Sequence, residues 1–409
     1  MKISKNINIL KNYKISEAKI IYKNKDIERT RNMVSFYNFA GKSAGKVIGR
    51  AMNVIIKLVK KIKPNYDIAT PDDFRRIINS INNNYLKDMR MKKKITMIKM
   101  DVKNQYTSLD QKEGIISLRR VLRIYKREHG DKIKIARKKF DKYKDSPGIG
   151  SLKEYRNISI DEIIEYCIYE LENNYIKVGN LFVVKQVDGF PIGGIVSSQL
   201  AIIDSIRREY EAQSNIRRLF GNMKKYIFRY RDDILCIIFK KLSDIKINNI
   251  LKLVNKMYDP TNYPNCKVEV KLEDVSNLSM CFLDFKIIFQ DNFFIITDNN
   301  SNISIDYSLK DKKLQIMRTE RNLWRRRYPS IESNYDKKVY YNTIANVLEK
   351  TKMRNNNGLY YLLSQLCNIF EFMDLLYPSK LIIRSLFNVD RLMAKLTLRM
   401  IRGRGGLCC

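Results

Sequence analysis

Apolar positions follow two different periods along the chain. Val47, Ala51, Val54, Ile55, Leu58 and Ile62 recur at helical spacing, and Pro64 stands just beyond them. Lys57, Lys60, Lys61 and Lys63 lie around the same stretch, mostly off its apolar stripe. From Ile95 to Val102 the alternation is that of a strand: Ile98, Met100 and Val102 share one face, and Asp101 falls on the other at the strand's end. Leu181–Val184 reads as a short strand that runs into a Gly-rich loop, Gly189 to Gly194, and then a helix from about Ser198 to Glu211. Tyr226 to Phe239 reads as two strands around a polar turn at Arg231, Asp232 and Asp233. A further hairpin is expected within Lys286–Thr297, around Gln290–Asp291–Asn292. Leu359, Leu362, Leu363, Leu366, Ile369, Phe370, Met373 and Leu376 form a strong helical stripe, so the C-terminal part reads as mainly helical.

Composition sharpens this α+β pattern. With 409 residues, 44% of them hydrophobic, the chain can bury a substantial core. No Pro/Gly/Ser-rich linker is present, so one multi-lobed body is expected. Lys and Arg number 78 against 43 Asp and Glu, a net charge of +35 that points to a polyanionic partner, nucleic acid first. Residues 1–100 hold 24 Lys and Arg against 7 acids, so about half of that excess lies in a quarter of the chain. His129 is the single histidine, which excludes HExxH zinc sites, His-rich metal clusters and any mechanism that needs a His base together with a His ligand. The seven cysteines include no CxxC pair, which argues against a zinc knuckle, and their odd number argues against a disulfide scaffold. A reducing intracellular compartment, nucleus or cytoplasm, fits best. The N-terminus has no signal-peptide run, and the tract Leu359–Leu376 is interrupted by Gln365, Asn368, Glu371 and Asp374, so no membrane span is expected.

The chemistry centres on Asp101 in IKMDVKNQY and on Asp232 with Asp233 in FRYRDDILCIIF. An isolated Asp-Asp is ordinarily a solvated turn. Here the pair sits between two apolar strands, where like charges repel and desolvation is costly. Divalent cations remove that cost. Oxygen ligands suit Mg²⁺ and need neither His nor Cys, in keeping with a chain almost without histidine. Asp101 and Asp232 could hold two such ions, Mg²⁺ with Mn²⁺ as an alternative, for nucleotidyl transfer.

The ordered set of motifs resembles the reverse transcriptases. Asp101 followed five residues later by Tyr106 matches their first catalytic motif. Gly189-Phe-Pro-Ile-Gly-Gly-Ile-Val-Ser197 matches their GxPxGGxxS segment, Tyr230-Arg-Asp-Asp233 their YxDD motif, and Phe282-Leu-Asp284 the FLD element at the edge of the palm. Within that group IKMDVKNQYTSLD, QVDGFPIGGIVSSQLA, RYRDDI and the run into FLD are most similar to the Penelope-like elements, and the likeness extends over roughly residues 19–385. Arg231, in place of a small or apolar residue in YxDD, departs from the pattern, as do Ser198-Gln199 and Pro191-Ile192. No GIY…YIG pair or other nuclease signature is visible, so self-contained target cleavage is not expected.

The resemblance implies a right-hand polymerase fold: an N-terminal extension and fingers over 1–94, a palm over 95–300 with a fingers insertion around 111–180, and a helical thumb and tail over 301–409. It implies RNA-directed DNA synthesis, with an RNA template, a DNA primer and dNTPs as partners. Asp101, Asp232, Asp233 and the Val102 carbonyl would be metal ligands. Tyr106 would lie under the sugar of the incoming nucleotide and exclude a 2′-hydroxyl, while Gly189, Pro191, Gly193, Gly194 and Tyr230 would complete the nucleotide site. Arg31, in ERTRNMVSF, would contact the triphosphate, with Lys23 or Lys25 beside it. Lys267 and Lys271 are both candidates for the general acid. Arg318, Arg321, Arg325, Arg326 and Arg327 around Trp324 combine phosphate contacts with an aromatic face and are expected to grip the duplex. Two other readings remain: a viral RNA-dependent RNA polymerase, against which Tyr106 speaks, and a non-catalytic, maturase-like RNA-binding protein, against which the three aspartates speak.

Overall fold

The computed structural model describes residues 15–23, 26–36, 39–85, 94–103, 105–138, 144–178, 182–258, 268–283, 285–298, 303–308, 313–318, 337–355, 358–374 and 377–403. In chain order the first elements are β1 (Ser16–Lys23), β2 (Asp26–Ser35), α1 (Lys42–Ile62), α2 (Pro71–Tyr85), β3 (Thr96–Lys103), α3 (Gln105–Ser108), α4 (Gln111–His129), β4 (Lys132–Ala136), β5 (Ser146–Pro147), β6 (Tyr155–Ser159) and α5 (Ile160–Glu172). There follow β7 (Tyr175–Val178), β8 (Phe182–Lys185), α6 (Ser197–Glu211), α7 (Gln213–Phe220), β9 (Lys225–Tyr230), β10 (Asp233–Ile238), α8 (Asp244–Tyr258) and β11 (Glu269–Ser276). The remainder are β12 (Ser279–Phe282), β13 (Phe285–Gln290), β14 (Phe293–Asp298), β15 (Ile303–Ser308), β16 (Lys313–Arg318), α9 (Lys337–Arg354), α10 (Gly358–Asp374), α11 (Ser379–Val389) and α12 (Arg391–Gly403). Contacts divide the chain into two units, Met1–Asp67 with Ile98–Asp274, and Ile68–Met97 with Val275–Cys409.

The first unit is built on a four-stranded sheet in the order β11-β3-β10-β9. Strand β3 alternates as its sequence demands: Ile98, Met100 and Val102 are buried, while Lys99, Asp101 and Lys103 are half-buried on the opposite face. The buried face joins Met52 and Ile55 of α1, Leu118 of α4, Ile163 of α5 and Ile203 of α6 in one apolar cluster. Each such fully buried side chain contributes about 1.5–3 kcal/mol. Helix starts are written in the sequence: Asp110 accepts from the Glu113 N–H at the head of α4, and Ser159 with Glu162 forms a capping box at the head of α5. Two smaller sheets complete this unit, β2-β1-β7-β8 and β5-β4-β6.

The second unit contains the antiparallel sheet β12-β13-β14. Phe74 of α2 packs on Phe282 and Phe285 with ring centroids 5.2 and 5.7 Å apart, and Asn82 exchanges two hydrogen bonds with the Phe294 backbone. The β13–β14 hairpin turns at Asp291 and Asn292, both with positive φ, where the sequence placed it. Helices α9 to α12 share a core that includes Ile344, Leu348, Ile369, Phe372 and Leu386. One expectation is corrected: Ile303–Ser308 and Lys313–Arg318 form an antiparallel hairpin, not helix. Ile303, Ile305 and Tyr307 alternate at period two in the sequence, which the helical reading of the C-terminal part overlooked. Among the described residues no helix is long and apolar enough to cross a membrane.

Candidate active site

Strand β3 delivers Asp101, and the β9–β10 hairpin delivers Asp232 and Asp233. The closing pair of that hairpin is Tyr230 with Asp233, so the turn proper is Arg231-Asp232 and Asp233 already belongs to β10. Arg231 takes φ 57, a left-handed conformation uncommon for a non-glycine residue. Its guanidinium lies 5.5 Å from the centroid of the Tyr230 ring. The Val102 N–H donates to the Asp232 carbonyl at 2.9 Å, which fixes the turn against β3.

Electrostatics couple these groups. Burial pushes the Asp233 carboxyl up to about 6, and Asp232, Asp101 and Glu273 add to the rise while Lys99 opposes it. The Lys103 ammonium pairs with Asp101 and lies 3.6 Å from Glu273, whose other oxygen is 2.9 Å from Lys99. That pairing with Asp101 holds the Lys103 ammonium above its ordinary range. Glu273 is held below the usual carboxylate range: burial works against its charge, but Lys99 and Lys103 outweigh it. The donors here are oxygens, the kind a hard divalent cation takes, and the crowding of Asp232 and Asp101 that helps to raise the Asp233 pKa is repulsion such a cation would relieve. Among the described residues, no group of three or more His, Cys, Asp or Glu side chains stands close enough to hold a metal ion as placed.

The Gly-rich segment closes over α3. Gly189 has φ +71, and a Cβ there would stand 2.5 Å from the Thr107 carbonyl oxygen, so both conformation and space require glycine. The Phe190 N–H donates to the Tyr106 carbonyl at 2.6 Å, and its ring is buried against Gly114 of α4. Tyr106 itself is half-buried. Burial raises its hydroxyl pKa, the nearby Arg231 charge lowers it, and Asp232 raises it, so the ring is within electrostatic reach of the turn. Pro191 is buried, and its carbonyl accepts from the Gly194 N–H at 3.0 Å. Gly193 has φ +107. The Val34 N–H donates to the Ile192 carbonyl at 2.8 Å, bringing the end of β2 to this loop; Arg31 lies in that strand opposite Ile21.

Two buried groups escaped the sequence reading. Glu170 of α5 reaches under the loop: its Oε1 accepts from the Val196 N–H at 3.1 Å, and the Tyr166 hydroxyl donates to Oε2 at 3.1 Å. It thereby caps α6, whose own N-cap, Val196, has no side-chain oxygen to offer. Burial pushes this carboxyl up to about 7. Arg229 of β9 is 1% exposed and pairs with Glu209 of α6 and, at 3.2 Å, with Asp67. Burial opposes its charge, but Glu209 and Asp67 outweigh that and raise its pKa. An arginine within the apolar and aromatic run Tyr226–Tyr230 was the available signal for it.

The site thus gathers Asp101, Val102, Tyr106, Gly189, Pro191, Gly193, Gly194, Tyr230, Asp232 and Asp233 in the first unit. Arg318 ends β16 in the second unit, while Arg321, Trp324, Arg325, Arg326 and Arg327 lie outside the described residues, as do Lys25, Lys267 and Asp284. Lys271 is exposed and stands 3.3 Å from Glu269.

Solved structures that share this mixed α+β fold include telomerases. Telomerase from Candida albicans, solved with a TWJ fragment of telomeric RNA, superposes with a TM-score of 0.60 at 12% identity, over 95% of this chain and 61% of that one. Telomerase from Candida tropicalis with a TWJ fragment gives 0.55 at 15% identity over 95% and 56%, and its apo form gives 0.52 at 16% over 94% and 59%. The chain spans about three fifths of the length of these telomerase chains. No protein-family model and no curated protein matches the sequence.

Proposed function

We propose that the chain is an RNA-directed DNA polymerase of a retroelement, with the Penelope-like elements as the group its motifs resemble. The observation that carries this reading is the meeting of Asp101, the Asp232–Asp233 turn, Tyr106 and the Gly189–Gly194 loop in one place, on a fold shared with telomerase. A fold alone does not specify chemistry; the side chains at the site do.

In this reading Asp101, the Val102 carbonyl, Asp232 and Asp233, carried by β3 and the β9–β10 turn, would hold two Mg²⁺ ions, or Mn²⁺ in their place. Such ions would supply the positive charge that favours an ionised primer 3′-hydroxyl and offsets the charge of the leaving pyrophosphate. Tyr106 orients the incoming deoxynucleotide by the face of its ring, and its bulk excludes a 2′-hydroxyl. Gly189, Pro191, Gly193 and Gly194 let backbone approach the base pair being formed, Tyr230 completes the nucleotide site, and Arg231 touches the primer phosphate. Arg31 on β2, adjoining Ile192 through Val34, contacts the triphosphate. The partners are an RNA template, a DNA primer and dNTPs. The basic excess of the first hundred residues, and Arg318 to Arg327 around Trp324, bind the phosphate backbone and make binding fall steeply with salt.

The test is primer extension with RNA and DNA templates, each supplied with dNTPs or NTPs, in Mg²⁺ and in Mn²⁺. DNA synthesis on an RNA template is expected. Preference for NTPs would replace this reading with an RNA polymerase, and template binding without extension would favour a maturase-like binding protein.

A further inference from the structure

We propose that Arg229 is a positioning residue that latches the Asp232–Asp233 turn in its working conformation. The proposal rests on the polymerase reading above for its kinetic form, and on geometry for its physical form. The Arg229 Nη1 donates to the carbonyl of Arg231, the left-handed residue at the head of the turn, at 3.3 Å. The next peptide is held from the other side, where the Val102 N–H reaches the Asp232 carbonyl at 2.9 Å. Two successive peptides of the turn are therefore pinned, one by a buried guanidinium and one by the neighbouring strand.

The rest of the side chain is anchored to remote parts of the same unit. Nε bonds Glu209 of α6, and Nη1 lies 3.2 Å from Asp67. Glu209 also accepts from the Tyr258 hydroxyl at 2.9 Å and from the Tyr66 N–H at 2.9 Å, and Asp67 is paired with Lys60 at 2.5 Å. The Arg229 N–H itself donates to the Tyr66 carbonyl at 2.7 Å. Two carboxylates face two cations, so the network is neutral. A buried network of this kind is a poor way to gain stability, since well-packed apolar side chains do as well. Its distinctive product is a fixed donor for a carbonyl in an unfavourable backbone conformation. Lysine cannot reproduce this, because a single ammonium lacks the planar fork that reaches Glu209, Asp67 and the Arg231 carbonyl together. The latch acts on the geometry of Asp232 and Asp233, and Arg229→Lys keeps the positive charge that reaches Tyr106, so the loss in that variant belongs in turnover, not in nucleotide binding.

The experiment compares primer extension and Mn²⁺ binding, the latter by electron paramagnetic resonance, in the full chain and its variants. Arg229→Lys is expected to lower kcat at least about tenfold with the KM for dNTP changed less than about twofold. If that variant does not fold, the double variant Arg229→Gln/Glu209→Gln, which withdraws both buried charges together, takes its place with the same expectation. Glu209→Gln alone keeps the Nη1 bond and should retain kcat within about threefold even where it melts earlier. In an Arg231→Gly background the left-handed turn no longer needs a latch, so the further loss on adding Arg229→Lys should shrink to about threefold or less. Equal losses in both backgrounds, a KM rise matching the fall in kcat, or a Glu209→Gln loss as large as that of Arg229→Lys would overturn the latch. A wild-type chain inactive on every template and nucleotide refutes the polymerase reading instead, and the latch is then judged by Mn²⁺. Affinity weakened about fivefold or more by Arg229→Lys supports it; unchanged affinity, or no binding by wild type, overturns it.

Discussion

Replacing Glu170 by Gln should change how stability depends on pH, by an amount the structure sets. The carboxyl is 1% exposed beneath the Gly189–Ser197 segment, and burial raises its pKa from 4.5 to about 7 against the opposing hydrogen bonds from Val196, Tyr166 and Ile195. A raised acid keeps its proton in the folded state over a pH window in which the unfolded chain has lost it. Stability from this group therefore falls as pH rises from about 4.5 to about 7, and is level on either side. At about 1.4 kcal/mol per unit the full change is on the order of 3 kcal/mol. Glutamine has no proton to lose and nearly the shape of the neutral acid, so below pH 4 the variant and wild type should agree within about 1 kcal/mol. Above pH 8 the variant should be the more stable by roughly 2–3 kcal/mol. The measurement is urea denaturation of both proteins at half-unit steps of pH and constant ionic strength, read as the difference curve. Subtraction removes the groups common to both, including Asp233, whose pKa is also raised. A flat difference across the window would refute the argument, as would a variant clearly less stable than wild type above pH 8.

Other outcomes follow from the same geometry. Asp101→Ala and Asp232→Ala should each abolish primer extension while leaving thermal unfolding cooperative; activity surviving in either variant would remove the assignment of the metal ligands. Tyr106→Ala should admit ribonucleotides, and an unchanged dNTP-to-NTP ratio in single-nucleotide incorporation would end its role in sugar selection. Gly189→Ala meets both a left-handed backbone and the Thr107 carbonyl, so chemical denaturation should show a loss of about 2–5 kcal/mol. A loss under about 0.5 kcal/mol would mean that the loop does not press on α3 as described.

Much of the candidate site is legible in the sequence alone. The alternation of Ile98, Met100 and Val102 put Asp101 on the face opposite the core because strand side chains alternate whatever surrounds them. Apolar runs on either side of Arg231-Asp232-Asp233 predicted a hairpin, and only the boundary moved, Asp233 joining β10. The helix after the Gly-rich loop began within a residue of its expected start. The C-terminal part is mainly helical as read, in α9 to α12, and the hairpin Ile303–Arg318 was passed over because the helical stripe at Leu359–Leu376 was extended back over it.

Local pattern, then, determined by itself the elements and the faces they bury, because each depends on neighbours a few residues away, while the ordered motifs marked the three aspartates as the candidate centre. Only the tertiary structure decided who supports that centre. Glu170 meets Val196 across 26 positions, Arg229 meets Glu209 across 20, and Tyr66 meets Glu209 across 143. Nothing in the spacing of those residues marks them, because their importance comes from desolvation, which makes a buried charge costly until a partner from elsewhere in the chain neutralises it. The same folding turned Lys103 from one more basic residue into the counter-charge of Asp101, and a glycine motif into a loop pressed against Thr107.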